Sequence, residues 1–303
     1  MNEKEPVFLG KALYVDNINH YLYCETVLKP VDSVLEENEC LMGRWDIRAV
    51  LSRIFRSALQ KMIGTITHIS TDDTVAALTF DDGPDPRFTP RLLEILESYG
   101  TKAAFFMVGE NANRYPELVR RVAQAGHAIG NHSWDHTSFR LIAGRERRAQ
   151  IRACESAIAP YGQKLFRPPY GHQSIASRLD ALWLGYQVVT WNVIAYDWLD
   201  RDADRLVYQI VSKIQPGSVI LFHDALHDII EDNYADREPM LEAVNMLLER
   251  LGDHFRLVTI PELFQHGHPQ RQNWYMKADV DFLNSLRVQE GEARRYAHGN
   301  RCQ

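Results

Sequence analysis

The chain predicts an α/β fold, a parallel (β/α) barrel of about seven strands with an N-terminal extension. The extension spans residues 1–72, the barrel 73–265 and a C-terminal tail 266–303. Three observations carry this. Short β-rich runs alternate with longer helical ones from about residue 73, a pattern that implies parallel strands joined by helices. Several helical runs open near proline and close on glycine. Reactive side chains gather just after the strands, and a barrel brings all strand ends to one rim, where an open sheet would spread them along an edge.

In the extension, KALYVDNINHYLYCETV suits a hairpin. In residues 44–63, Ile47, Val50, Leu51, Ile54, Leu59 and Met62 recur at helical spacing, while Arg44, Arg48, Arg53, Arg56 and Lys61 load the polar side. Such a basic amphipathic helix can lie on an anionic membrane surface or dock its apolar stripe on the barrel, and docking is the simpler expectation.

The barrel strands are expected at 74–80, 103–108, 127–131, 164–167, 187–193, 218–222 and 255–259. TPRLLEILESYG, PELVRRVAQAG, RERRAQIRACESAIAPYG and EPMLEAVNMLLERLG supply helices between them. The tail is polar and weakly patterned, which suits a short docked segment and a mobile end.

Composition narrows the partners. A net charge of -6, with 45% hydrophobic and 24% charged residues, gives no field favouring polyanions, so nucleic acid is not an expected partner. The start, MNEKEPVFLGK, lacks a basic region followed by an apolar run, so no secretory signal is expected. Four scattered cysteines (Cys24, Cys40, Cys154, Cys302) without CxxC spacing suit reduced thiols. The expected location is the cytoplasm, with the inner membrane face as a peripheral alternative.

Two motifs carry the chemistry. In NHSWDH, His132 and His136 can turn both imidazoles to one point, and a nearby carboxylate would complete the three-ligand set of a catalytic zinc site. In TFDDGP, Asp81 and Asp82 repel each other, and a cation is the simplest relief: one carboxylate neutralises the ion while its neighbour stays free to accept a proton from bound water. Capping of the following turn explains only one of the pair. Arg167, Asp197 and His223 also stand at strand ends.

TFDDGP, HSWDH, RPPYG, YDW and LFHD, in that order, resemble the five motifs of the polysaccharide deacetylases, carbohydrate esterase family 4, with the nodulation-type deacetylase homology domain. The resemblance implies a deformed barrel, a divalent metal (zinc above all, with cobalt or manganese as alternatives) and hydrolysis of an acetyl group from an N-acetylated or O-acetylated sugar. It makes Asp82, His132 and His136 the metal ligands and Asp81 the general base. Arg167 would hold that base, His223 would be the general acid and Asp197 would keep its imidazole protonated. The backbone N–H of Tyr170 would assist the oxyanion, and Trp198 would wall the pocket beside the acetyl methyl. His227 reads as a helix-start residue rather than a ligand. The expected partner is a glycan or amino sugar. Alternatives are a lipid-linked or nucleotide-linked sugar, a non-sugar amide, or a silent glycan-binding barrel.

Overall fold

The computed structural model describes residues 60, 62–227 and 235–272. The expected hairpin, most of the helix at 44–63, and Cys24, Cys40 and Cys302 lie outside the described residues.

In chain order the strands are β1 (Thr65–Ser70), β2 (Val75–Asp81), β3 (Ala104–Met107), β4 (Ala128–Asn131), β5 (Leu165–Phe166), β6 (Gln187–Val188), β7 (Val193–Ile194), β8 (Val219–His223), β9 (Arg256–Val258) and β10 (His268–Gln272). The helices are α1 (Thr89–Ser98), α2 (Gly109–Arg114), α3 (Pro116–Gln124), α4 (Gly144–Ala157), α5 (Ile175–Trp183), α6 (Ala203–Val211), α7 (Glu238–Leu251) and α8 (Ile260–Leu263). The main sheet runs β6-β5-β4-β3-β2-β8-β7, with β9 also pairing to β2. Every pairing in it is parallel. This is the expected deformed (β/α) barrel.

The period-two alternation of strands builds its two layers. Along β2, Ala76, Leu78 and Phe80 join the cluster beneath the helices, where Phe105, Met107, Ile220 and Phe222 meet Leu92, Leu96, Val244 and Leu247. The intervening Val75 and Ala77 join a second cluster with Ala104, Phe106, Val219 and Leu221. Because β2 is covered on both faces, its sequence VAALTFD is buried throughout and reads as an apolar run until its last residue. Continuing the inner register past Ala77 brings Thr79 and Asp81 into the barrel. Asp81 pairs in register with His223 on β8, so the first carboxylate and the later histidine meet across one strand spacing.

Glycine ends the helices as expected: Gly100 and Gly126, just past α1 and α3, take φ of 62° and 82°, a left-handed turn that a Cβ would disfavour. Among the described residues no helix is long and apolar enough to cross a membrane.

Two features depart from the sequence expectation. The single strand expected at 187–193 is two strands at opposite edges of the sheet: β6 pairs with β5, and β7 pairs with β8. Residues 189–192 carry the chain from one edge to the other, and β1 covers this seam, with Thr190 N–H donating to the Ile66 carbonyl at 2.8 Å. Strand β1 itself was not anticipated. It pairs antiparallel with β10, and its Ile66 and Ile69 bury in the inner cluster beside Ile260 and Leu263. The sequence signal was weak because four of the six residues in TITHIS are polar and Ile66 and Ile69 fall three apart, out of the period-two alternation of a regular strand; a register shift between Ile66 and His68 lets both bury.

Candidate active site

The site occupies the carboxyl rim of the inner layer. Strand β2 delivers Asp81 and then Asp82; the turn after β4 delivers His132 and His136; the turn after β5 delivers Arg167 and Tyr170; the segment after β7 delivers Asp197 and Trp198; β8 ends on His223. Asp81, Asp82, His132, His136, Arg167 and Asp197 are all buried. The connecting backbone is strained there. Among the described residues, the non-glycine residues with positive φ are Asp82, Ser133, His136, Tyr170 and Tyr196, each in a rim turn. A left-handed non-glycine residue costs on the order of 1–3 kcal/mol, which a fold tolerates where the turn aims a side chain.

Asp82, His132 and His136 converge. The Nε2 atoms of both imidazoles stand 3.3 Å from Asp82 Oδ1. That oxygen is buried yet accepts no hydrogen bond, although it faces two nitrogens. His132 Nδ1 lies 2.8 Å from the Arg167 carbonyl. A carbonyl can only accept, so Nδ1 carries a proton and Nε2 is the nitrogen turned toward Asp82. A tetrahedral ion with bonds of about 2.1 Å separates its donors by about 3.4 Å, close to the spacing here. Two imidazoles and one carboxylate form the donor set of a catalytic zinc site, so these residues fit a divalent cation. Burial opposes ionisation of Asp82, but the imidazoles of His136, His132 and His223 outweigh it and hold the carboxyl well below the usual range. The backbone N–H of His227 donates to its Oδ2 at 3.1 Å, and the Asn111 amide donates to its carbonyl at 2.8 Å.

Asp81 is held differently. Arg167, fully buried, donates through Nη1 to Asp81 Oδ1 at 2.6 Å and to Thr79 Oγ1 at 2.8 Å. Its Nε and Nη2 donate to the carbonyls of Val189 at 3.2 Å and Thr190 at 2.9 Å. Those carbonyls belong to the seam segment, so the irregularity of the barrel is what supplies the arginine's remaining acceptors. The guanidinium also lies 3.9 Å over the Phe106 ring. Burial lowers the Arg167 pKa, and the Asp81 charge opposes that shift.

His223 forms the third group. Its Nδ1 lies 2.9 Å from Asp197 Oδ1, and its backbone N–H donates to Asp197 Oδ2 at 2.9 Å. Burial alone would depress its pKa, but the carboxylates of Asp197, Asp82 and Asp81 outweigh burial and raise it. Asp197 is itself held below its ordinary value: burial opposes this, and His223 and Arg237 overcome it. The Trp198 ring stands edge-on to His223 with centroids 5.0 Å apart. Tyr170 packs its ring 4.5 Å from that of His136.

Every residue expected at the site is therefore brought to it. Sequence reasoning missed Arg237, which pairs with Asp197 Oδ2 and donates to the Asp197 carbonyl at 2.8 Å. Nothing in ADREPM distinguishes it from a surface arginine before a helix. Asp224, inside the LFHD motif, was also passed over. It is fully buried, accepts from Thr89 Oγ1, and packs so closely on Gly83 that a Cβ there would lie 2.3 Å from its Oδ2. Burial pushes its carboxyl up to about 7. His227 was read as a helix start, yet its ring sits 5.5 Å from that of His136, beside the cluster. Cys154 is buried as expected; burial pushes its thiol up to about 12, which makes it inert.

The chain is similar to known proteins over the region that carries these residues. A family model described as polysaccharide deacetylase matches residues 68–189. A peptidoglycan-N-acetylglucosamine deacetylase of Bacillus cereus is 36% identical over 194 residues, covering 62% of this chain and 68% of the relative. A chitooligosaccharide deacetylase of Azorhizobium caulinodans is 36% identical over 167 residues, covering 54% of this chain and 80% of the relative. A crystal structure of a peptidoglycan N-acetylglucosamine deacetylase in complex with an N-oxidanyl-benzamide superposes with a TM-score of 0.60 at 33% identity, over 67% of this chain and 94% of that one.

Proposed function

The chain belongs to the polysaccharide deacetylase family, and on that premise we propose that it hydrolyses the acetyl group of an N-acetylated amino sugar within a glycan of the peptidoglycan or chitooligosaccharide type. The observation that carries this reading is the convergence of Asp82 Oδ1, which accepts no hydrogen bond, with two imidazole nitrogens at 3.3 Å, and a second carboxylate beside it on a separate, cationic tether. A divalent cation, zinc by its donor set, held by Asp82, His132 and His136 would supply Lewis-acid activation of water and of the acetyl carbonyl.

The protein's own groups then divide the proton work. Asp81 takes the proton from the attacking water. Its Oδ1 is occupied by Arg167, which leaves Oδ2, 3.7 Å from His132 Nε2, as the accepting atom. Arg167 holds that carboxylate by its Oδ1 and fixes its plane; a lysine could not also reach the three other oxygens the fork satisfies. The backbone N–H of Tyr170, on its left-handed turn, serves the developing oxyanion.

His223 returns a proton to the departing nitrogen. With Nδ1 committed to Asp197, the transferable proton is on Nε2. Arg237 prevents Asp197 from taking that proton, because it keeps the carboxylate strongly acidic. The indole of Trp198 excludes water beside the acetyl methyl.

The test is acetate release by the full chain, loaded with zinc, from chitooligosaccharides and peptidoglycan fragments. The wild type should release acetate, and Asp81→Asn should lose activity by about 100-fold or more while retaining metal. Unchanged turnover in that variant would remove Asp81 as the base.

A further inference from the structure

Beside the cluster runs a groove of about 310 Å3 whose walls include Arg87, Arg114, Asn111, Tyr115, Asp85 and His227. Two of its wall residues touch the site. Asn111 and His227 both donate hydrogen bonds to Asp82, from its carbonyl side and its carboxylate side respectively.

Among the described residues its lining carries two arginines against one carboxylate. Arg87 is exposed and has one acidic neighbour, Asp85, at 3.6 Å. The other oxygen of that carboxylate, Oδ1, caps the turn, accepting from the backbone N–H groups of Arg87 at 2.7 Å and Phe88 at 3.2 Å, so one acid serves both the turn and Arg87. Arg114 has no carboxylate within 4.0 Å among the described residues. The nearby Arg91, Arg120 and Arg121 are each paired, with Glu238, Glu117 and Glu94. Each groove arginine also lies over the aromatic ring that follows it in sequence: Arg87 over Phe88 at 4.7 Å and Arg114 over Tyr115 at 5.8 Å. Stacking restricts the side chain while leaving the edge of the guanidinium fork open to an anion.

We propose that this groove is a subsite for an oxyanion, a carboxylate or phosphate, carried on the sugar neighbouring the one whose acetyl group is removed. The inference rests on the deacetylase reading for its orientation. It goes further by distinguishing substrates: a decorated, anionic glycan is preferred to a neutral one of equal length. Arg87 and Arg114 bind the anion, and Asn111 couples the groove wall to the turn that bears Asp82.

The experiment is calorimetric binding to the full, zinc-loaded Asp81→Asn chain, which does not consume its ligand. Three tetrasaccharides are compared: neutral chitotetraose, an alternating N-acetylglucosamine and N-acetylmuramic acid oligomer with free lactyl carboxylates, and 6-phosphorylated chitotetraose. An anionic oligomer should bind about 10-fold more tightly than chitotetraose, as expected for charge-assisted contacts at a partly exposed site. The carboxylate and phosphate arms identify which anion the groove takes. Adding Arg87→Gln and Arg114→Gln, or 0.5 M salt (roughly a 4 Å screening length), should abolish the preference and leave chitotetraose binding within about 2-fold. Thermal unfolding confirms that the exposed substitutions leave the fold intact. Equal affinities, a preference that survives both arginine changes, or no binding at all would overturn the proposal. Acetate release by the wild type is scored separately: its absence from every glycan overturns the deacetylase reading, whereas release with no anionic preference overturns the groove alone.

Discussion

Replacing Arg167 with methionine should destabilise the metal-free protein by about 3–5 kcal/mol, the cost of leaving a buried charge without its partner. Methionine approximates the length of the arginine stem, so little of this cost is a cavity. What is lost is the fork. Asp81 loses its 2.6 Å donor, and the carbonyls of Val189 and Thr190 lose donors at 3.2 and 2.9 Å. Thr79 is less affected, because its hydroxyl still donates to the Ile220 carbonyl at 2.7 Å. Most of the cost should therefore track the Asp81 charge. Adding Asp81→Asn to the methionine variant removes that charge and should recover about 2 kcal/mol, leaving the two carbonyls as the residual cost of about 1–3 kcal/mol. Urea unfolding of the chelated full chain, followed by tryptophan fluorescence for the wild type, both single variants and the double, reads the cycle directly. The account is refuted if the methionine variant falls within 1 kcal/mol of wild type, or if the second substitution makes it worse.

Three further outcomes follow from the same contacts. Asp197→Asn removes the carboxylate that raises the His223 pKa, so the alkaline limb of the kcat/KM profile, where the acid loses its proton, should move to lower pH; an unmoved limb would detach His223 from that limb. Burial lifts the Asp224 carboxyl to about 7 from the 3.8 of an unperturbed side chain, so it adds stability fully present below pH 3.8 and lost as pH rises through 7. Metal-free wild type should thus lose on the order of 4 kcal/mol relative to Asp224→Asn across that window, and parallel stability curves in urea would contradict this. Gly83→Ala would place a Cβ 2.3–2.6 Å from the Asp224 carboxylate. It should cost about 1–3 kcal/mol and weaken metal binding, because the displaced residue follows Asp82; dye competition for zinc measures the second effect.

The barrel was legible because β2, β3 and β8 are largely apolar runs, and β2 and β8 end on the polar residues Asp81 and His223. Asp81, Asp82, His132, His136, Arg167, Asp197 and His223 were legible for the same reason, since a side chain at a strand end points to the shared rim. Arg237 was not. It reaches Asp197 from the start of α7, and long-range pairing of a flexible side chain leaves no local pattern. The split of 187–193 into β6 and β7 was hidden as well. QVVTWNV is β-prone throughout, and only tertiary closure of the barrel forces the chain to cross between edges at Val189–Asn192. That crossing turns out to matter chemically, since its carbonyls hold Arg167.

The central claim, that Asp82, His132 and His136 hold a divalent cation beside Asp81, is tested most directly by anomalous diffraction at the zinc edge from crystals of the zinc-loaded chain. The account predicts one strong peak at about 2.1 Å from Asp82 Oδ1 and from the Nε2 atoms of both histidines. A zinc-loaded crystal with no peak among those three atoms, or with its peak elsewhere, would contradict it.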